Sequence, residues 1–211
     1  MIIIALAIIA AYFIGSINFA VIFTRAFESK DIREHGSGNA GTTNVMRVGG
    51  FLPGMLTFLF DALKGFVASI LGKMVFDYVS VNYNITWTAP LAGAYICGVA
   101  CIIGHIFPLF FKFKGGKGVA TCVGIFAVCC PIAIIAGLAF FALITILSRY
   151  VSLASLSATV VVVVLATVFR TPDTPEIIQI ICCLIMAFLI FYKHKGNIKR
   201  LVAGNENRIG K

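Results

Sequence analysis

Val119-Ala-Thr-Cys-Val-Gly-Ile-Phe-Ala-Val-Cys-Cys-Pro-Ile-Ala-Ile-Ile-Ala-Gly-Leu-Ala-Phe-Phe-Ala-Leu-Ile-Thr-Ile-Leu147 is the stretch whose reading decides the fold. It carries no charged side chain and one proline, Pro131. A helix needs about 20 apolar residues to span a bilayer. At roughly 1.5 Å per residue this stretch covers only about 44 Å, too long for one crossing and short for two. Charge on either side settles the choice. Lys112, Lys114 and Lys117 precede it, Arg149 follows it, and a loop over 24–48 holds Arg25, Lys30, Arg33 and Arg47. Lysine and arginine collect in cytoplasmic loops near spans. A double crossing that turns near Pro131 puts these segments and the basic tail on one side. Short or tilted half-depth helices meet the length limit, and proline is tolerated where backbone is buried in protein.

Working outward, five further apolar runs appear: Ile2–Phe23, Phe51–Phe76, Trp87–Phe111, Leu153–Phe169 and Ile177–Tyr192. Asp77–Asn84 reads as a short polar connection, and Arg170–Glu176 as a turn with two prolines. The expectation is an all-α integral membrane protein with seven transmembrane helices, some short. Its N-terminus lies outside and its C-terminus is cytoplasmic. A five-crossing arrangement is the alternative, if two later runs dip in without crossing. Residues 1–211 read as a single polytopic membrane domain without internal repeat, with cytoplasmic loops at 24–48, 104–121, 148–155 and 193–211.

Composition agrees. Of 211 residues, 60% are hydrophobic and 12% charged, with net charge +9; a soluble domain averages about 25% charged residues. The first apolar run lacks a basic region ahead of it and reads as a retained span. The seven cysteines sit in or beside apolar runs and read as small hydrophobes, without a disulfide framework or metal site. The positive charge is assigned to membrane lipid and phosphate ligands, with no nucleic-acid partner.

Three segments carry chemistry. Gly36-Ser-Gly-Asn-Ala-Gly-Thr-Thr-Asn-Val-Met-Arg47 combines glycines with hydroxyls at Ser37, Thr42 and Thr43 and a guanidinium at Arg47. That is an inventory for holding phosphate, though no Gly-Lys-[Ser/Thr] closes a Walker loop. The second segment is Gly104-His-Ile-Phe-Pro108 leading to Phe113-Lys-Gly-Gly-Lys-Gly-Val-Ala-Thr121. Its glycines and lysines stand just before a helix, where backbone donors and the positive dipole end converge. A headgroup anchor would explain those lysines but not the glycine run. His105 reads equally as a packing or a catalytic histidine. In the third, His194–Glu206, His194 and Asn197 stand three apart and share a face on a helical extension of the last span. Lys199 and Arg200 there read as headgroup contacts. Asp61 and Lys64, three apart inside the second run, read as a structural pair. Ser155 follows a polar break at 148–152 and reaches toward the same face.

Absences narrow the chemistry. His105 is followed by Ile-Phe-Pro-Leu-Phe, so a His-x4-Asp acyltransferase pair is missing. Eight acidic residues without a cluster argue against a bound Mg²⁺–nucleotide or two-metal phosphotransferase. No Gly-x-Ser-x-Gly elbow marks a serine hydrolase.

In motif order and spacing, Ser37–Arg47, Gly104–Thr121 and His194–Glu206 together resemble the bacterial membrane acyl-phosphate:glycerol-3-phosphate acyltransferases. The resemblance runs the length of the chain and implies an enzyme of phospholipid synthesis in the bacterial cytoplasmic membrane, its active site facing the cytoplasm. Such an enzyme moves a fatty acyl group from acyl phosphate to the 1-hydroxyl of glycerol 3-phosphate. Lysophosphatidic acid and phosphate are its products, and no cofactor is implied. The enzyme that supplies acyl phosphate would be its hand-over partner. By the same resemblance Ser37, Thr43, Gly115 and Lys117 hold phosphate, and Gly38 and Asn39 join the substrate-binding set. Arg47 belongs with glycerol-phosphate binding, and Ser155, His194 and Asn197 with catalysis. Thr42 stands where the family pattern has a small apolar residue. A transporter for a phosphate-bearing anion is the competing class, but it would place polar groups near the midplane in repeated halves.

Overall fold

A computed structural model describes residues 1–169 and 174–209. Arg170–Asp173, the start of the two-proline turn, lie outside the described residues. Among the described residues the regular structure is helical: α1 (Ile2–Ser16), α2 (Phe19–Glu28), α3 (Thr42–Gly49), α4 (Phe51–Tyr83) and α5 (Pro90–Ile106) form the first half. Then follow α6 (Val119–Cys129), α7 (Pro131–Ser148), α8 (Val151–Val168), α9 (Glu176–Lys193) and α10 (Lys195–Val202). Among the described residues, six segments are long and apolar enough to cross a membrane: Ile2–Glu28, α4, Pro90–Phe111, α7, α8 and α9. This is a multi-pass membrane protein.

The 119–147 stretch is two helices. α6 ends at Cys129, Cys130 turns the chain with φ −156° and ψ 81°, and Pro131 opens α7. Helical geometry is disfavoured for a residue before proline, and proline suits the first helical position. α6 has 11 residues, about 16 Å of helix, so it is a half-depth element. Its N-terminal residues Gly118–Ala120 and residues Phe141 and Thr145 of α7 line one cavity. The stretch therefore doubles back on itself.

Two runs differ from the reading above. Ile2–Phe23 is broken at Ile17, because Asn18 accepts the Val21 N–H at 3.2 Å and starts a new helix. An N-cap residue in mid-run satisfies a donor that a continuous helix would satisfy itself. Asp77–Asn84 is not a connection: α4 continues to Tyr83 and stops only where Asn84 turns left-handed at φ 51°. Val79 in this stretch is buried, so packing extends the helix past the apolar run.

Helices in lipid gain no hydrophobic drive toward one another and associate through close packing of small residues. α4 and α5 cross where Gly72 and Gly93 face each other, and a Cβ on either would overlap the other's carbonyl oxygen. Between α4 and α6 a Cβ on Gly65 would overlap the Thr121 carbonyl oxygen and one on Gly124 that of Ala62; between α1 and α5 Gly15 meets the Cys101 carbonyl and Gly104 that of Tyr12. The seven cysteines are buried and free. Asp61 and Lys64 pair as expected, 2.7 Å apart.

Candidate active site

A cavity of about 1000 Å³ opens where the loops before α3 and α6, the α7–α8 junction and the tail meet. Ser37, Gly38, Asn39, Thr43, Arg47, Gly115, Lys117, Ser155, His194 and Asn197 all line it. Contacts that the sequence does not reveal bring these segments together.

The first loop is shaped from within by Asn44, which is buried. Its Oδ1 accepts the Ser37 N–H at 2.9 Å, and its Nδ2 faces the carbonyls of His35 (2.9 Å), Asn39 (3.1 Å) and Ile32 (3.3 Å). Gly36, at φ 61°, fits only because it has no Cβ to meet that Oδ1. Arg33 clamps Asp31 at 2.7 Å and also donates to the Phe111 carbonyl at 2.9 Å, tying this loop to the second segment. The Arg33 hydrogen bonds hold the Asp31 carboxyl well below the usual range. No side chain caps the N-terminus of α3. Among the described residues, the Ser37 and Thr43 hydroxyls and the Arg47 guanidinium take no side-chain partner.

The second segment folds back on the end of α5. Gly115 N–H donates to the Ile106 carbonyl and Gly116 N–H to that of His105, both at 3.2 Å. Gly118, left-handed at φ 87°, leads into α6, whose N-terminus also has no side-chain cap. Between them Lys117 Nζ donates to Asn197 Oδ1 at 2.5 Å. Burial pushes Lys117 down to about 8, with Arg200, Lys193 and Arg47 adding repulsion and Glu206 opposing.

His194 sits at the junction of α9 and α10. Its Nδ1 lies 2.8 Å from the Ile190 carbonyl; a carbonyl only accepts, so Nδ1 carries the hydrogen and Nε2 keeps its lone pair. Burial, then Lys117, pushes His194 down to about 4, so the ring is neutral at pH 7. Asn197 Nδ2 donates to Glu206 Oε1 at 2.6 Å, and Glu206 also accepts from Arg200 at 2.7 Å and Ser152 at 3.0 Å. Neither Glu206 nor Ser152 stands out in the sequence as a site residue. The usable signal was that Glu206 is the one acid after Glu176 in a basic tail. Ser155 donates its hydroxyl to the Val151 carbonyl at 2.9 Å and reaches the cavity as wall.

Around this cavity stand Arg33, Arg47, Lys114, Lys117, Lys193, Arg200 and Arg208, against only Asp61 and Glu206. Both carboxylates are already paired, with Lys64 and Arg200. The surplus is positive and suits anions. An apolar slot of about 50 Å³ between α6, α7, α8 and α9 shares Val119, Phe141 and Ser155 with the cavity.

A family model described as glycerol-3-phosphate acyltransferase matches residues 5–204. A glycerol-3-phosphate acyltransferase of Thermoanaerobacter sp. (strain X514) is 41% identical over 205 residues, covering 97% of this chain and 95% of that one. Glycerol-3-phosphate acyltransferase 2 of Bacillus anthracis is 37% identical over 204 residues, 97% of this chain and 98% of its own. Among solved structures, the glycerol 3-phosphate form of PlsY (YgiH), an integral membrane glycerol 3-phosphate acyltransferase, superposes with TM-score 0.83 at 34% identity. That match covers 98% of this chain and 96% of the other. The lysophosphatidic acid form gives TM-score 0.81 at 33% identity over 98% and 95%. With the family model and these relatives spanning nearly the whole chain, the chain belongs to the glycerol-3-phosphate acyltransferase family.

Proposed function

We propose that this chain transfers a fatty acyl group from acyl phosphate to the 1-hydroxyl of glycerol 3-phosphate, giving lysophosphatidic acid and inorganic phosphate for phospholipid synthesis. The observation that carries the reading is the junction of a cation-rich cavity with an apolar slot at Ser155. One substrate is a small dianion, and the other joins a phosphate to a fatty chain. Ser37, Thr43 and Arg47 on one wall and Gly115 and Lys117 on the other are the two phosphate-holding groups, and the slot takes the start of the chain. The names of the relatives support the acceptor, and the motif resemblance supports the donor.

Acyl phosphate is already activated, so the protein supplies positioning and charge stabilisation in place of a covalent nucleophile. The glycerol hydroxyl attacks the acyl carbonyl, the carbon–oxygen bond to phosphate breaks, and phosphate leaves with the bonding pair. Lys117 and the backbone donors at the start of α6 hold the charge that develops on it. His194 Nε2 accepts a hydrogen bond from the attacking hydroxyl and aims it. A ring held near 4 is a weak base, so the proton goes on to a substrate phosphate oxygen. Ser155 and Asn197 complete the wall, Asn197 by steering Lys117.

Around this site we place seven crossings in the bacterial cytoplasmic membrane, with α6 and α7 as a short hairpin. The N-terminus is outside and the cavity faces the cytoplasm, where the enzyme that supplies acyl phosphate would hand it over. The native cysteines are buried, so single introduced cysteines report topology cleanly. Positions 30, 114 and 205 should label from the cytoplasm, and positions 80 and 173 from outside. A tail reachable only from outside would contradict the arrangement.

Lys117→Ala should insert and fold yet lose tens- to several-hundred-fold in turnover, about 2–4 kcal/mol of transition-state stabilisation. Lys199→Ala, exposed on the tail, should be nearly silent in the same assay. Equal losses would show that general basicity had been mistaken for a site. Because Lys117 loses its proton as pH rises through about 8, KM for a phosphate substrate should climb above that pH, and Lys117→Arg should flatten the rise.

If a substrate phosphate takes the proton, turnover should fall on the acid side with the second phosphate ionisation, near pH ~6. His194→Ala should keep that limb while glycerol-phosphate affinity weakens, and Asn197→Ala, which loosens Lys117, should keep it as well. A drop of about 10²–10⁴-fold in kcat, with the acid limb abolished in His194→Ala, would make the histidine the general base instead.

A further inference from the structure

Asp61, Lys64 and His105 lie within α4 and α5, and the chemistry above uses none of them. Ionisable groups inside spans are costly and persist where they have partners and a task. Here the three residues are 1%, 4% and 6% exposed. Lys64 Nζ sits 2.7 Å from Asp61 Oδ1 and donates at 2.7 Å to the Ile17 carbonyl, freed where α1 stops. His105 Nδ1 approaches the same Asp61 oxygen at 3.5 Å. That oxygen holds no well-angled hydrogen bond; the Lys64 ammonium pairs with it by charge, and the imidazole turns its Nδ1 edge toward it.

The other end of this chain of contacts is the cavity, which Asp61 and His105 both line. The His105 carbonyl accepts the Gly116 N–H, and its imidazole lies directly under Gly116. A Cβ at Gly116 would strike both His105 Nε2 and the Ala40 carbonyl. The ring therefore touches the glycine loop at the point where that loop meets the backbone of the first phosphate loop. Glycine loops have no side chains with which to pack, so what lies beneath fixes their place. A ring whose Nδ1–H is drawn to a fixed carboxylate has one orientation, where an apolar side chain of similar volume could rotate.

We propose that the Asp61–Lys64 pair holds His105 as a strut beneath the two phosphate loops. His105 is then a positioning residue that acts through Gly116 on the aim of Lys117. The proposal rests on the reading of Lys117 as a phosphate-holding group, and the test separates the two. Steady-state kinetics with acyl phosphate and glycerol 3-phosphate would be run on purified wild type, His105→Leu, His105→Asn, Lys117→Ala and the Leu/Ala double variant. Folded fractions would be set by gel filtration and thermal melting. His105→Leu fills the space but offers Asp61 no donor, and should raise KM for at least one substrate about tenfold. His105→Asn returns a donor near the Nδ1 position and should recover most of that loss. With Lys117 already removed, adding His105→Leu should cost no more than about twofold further, since both act on one contact. Should His105→Leu not fold, His105→Met, which also offers no N–H donor, is read in its place. Multiplying losses in the double variant, equal behaviour of Leu and Asn, or a loss confined to folded fraction at unchanged KM would each overturn the strut while leaving the acyltransferase intact. Wild type without turnover would overturn both.

Discussion

The 2.5 Å hydrogen bond from Lys117 to Asn197 is the contact on which the cavity depends. It joins the start of α6 to the tail across 80 positions of sequence, and it does so with a neutral acceptor. A carboxylate in place of Asn197 would cancel the lysine. The amide instead orients the charge and leaves it uncompensated, while Glu206 stands one step behind, shared among Asn197, Arg200 and Ser152. A lysine held partly out of water, with other cations near, is under electrostatic stress until an anion arrives. In the reaction proposed above, preorganisation of this kind would place the favourable interaction at the reacting group, where it need not be reorganised.

Everything around that contact serves to hold backbone donors still at the edge of lipid. α6 is short, so its uncapped N-terminus reaches the level of the cavity while its glycine packs against α4. Asn44 gathers the turns of the first loop around one amide, and Arg33 ties that loop to Phe111 at the far side of the second. In water such glycine-rich loops would be loosely held. Here close helix crossings at Gly72–Gly93 and Gly65–Thr121 set the frame from below, in keeping with how helices associate in membranes.

Legibility in the sequence followed the range of the interaction involved. The break at Pro131 and the Asp61–Lys64 pair were readable because each depends on neighbours within a turn of helix. The residues of the cavity were readable as types, since hydroxyls, glycines and cations at a span edge point to phosphate whichever way they fold. The break at Asn18 was not, because an N-cap inside an apolar run is outweighed by the run. The extension of α4 through Asp77 was not, because its polar residues look like a connection until Val79 is seen to be buried. Glu206 was lost among the lysines and arginines of the tail, although a lone acid there is what positions Asn197. His105 beside Asp61 is a contact between helices 44 positions apart, and no spacing rule reaches that far.

We propose that this cavity carries out acyl transfer from one phosphate compound to another. The most direct measurement is inorganic phosphate released by purified protein in detergent, given acyl phosphate and glycerol 3-phosphate together. The account predicts phosphate and lysophosphatidic acid appearing one for one, with glycerol 3-phosphate required for both. A protein that only bound or carried such anions would have no compartment to fill, and would release none. Absence of phosphate release, or acyl transfer from a thioester donor with acyl phosphate left untouched, would contradict the account.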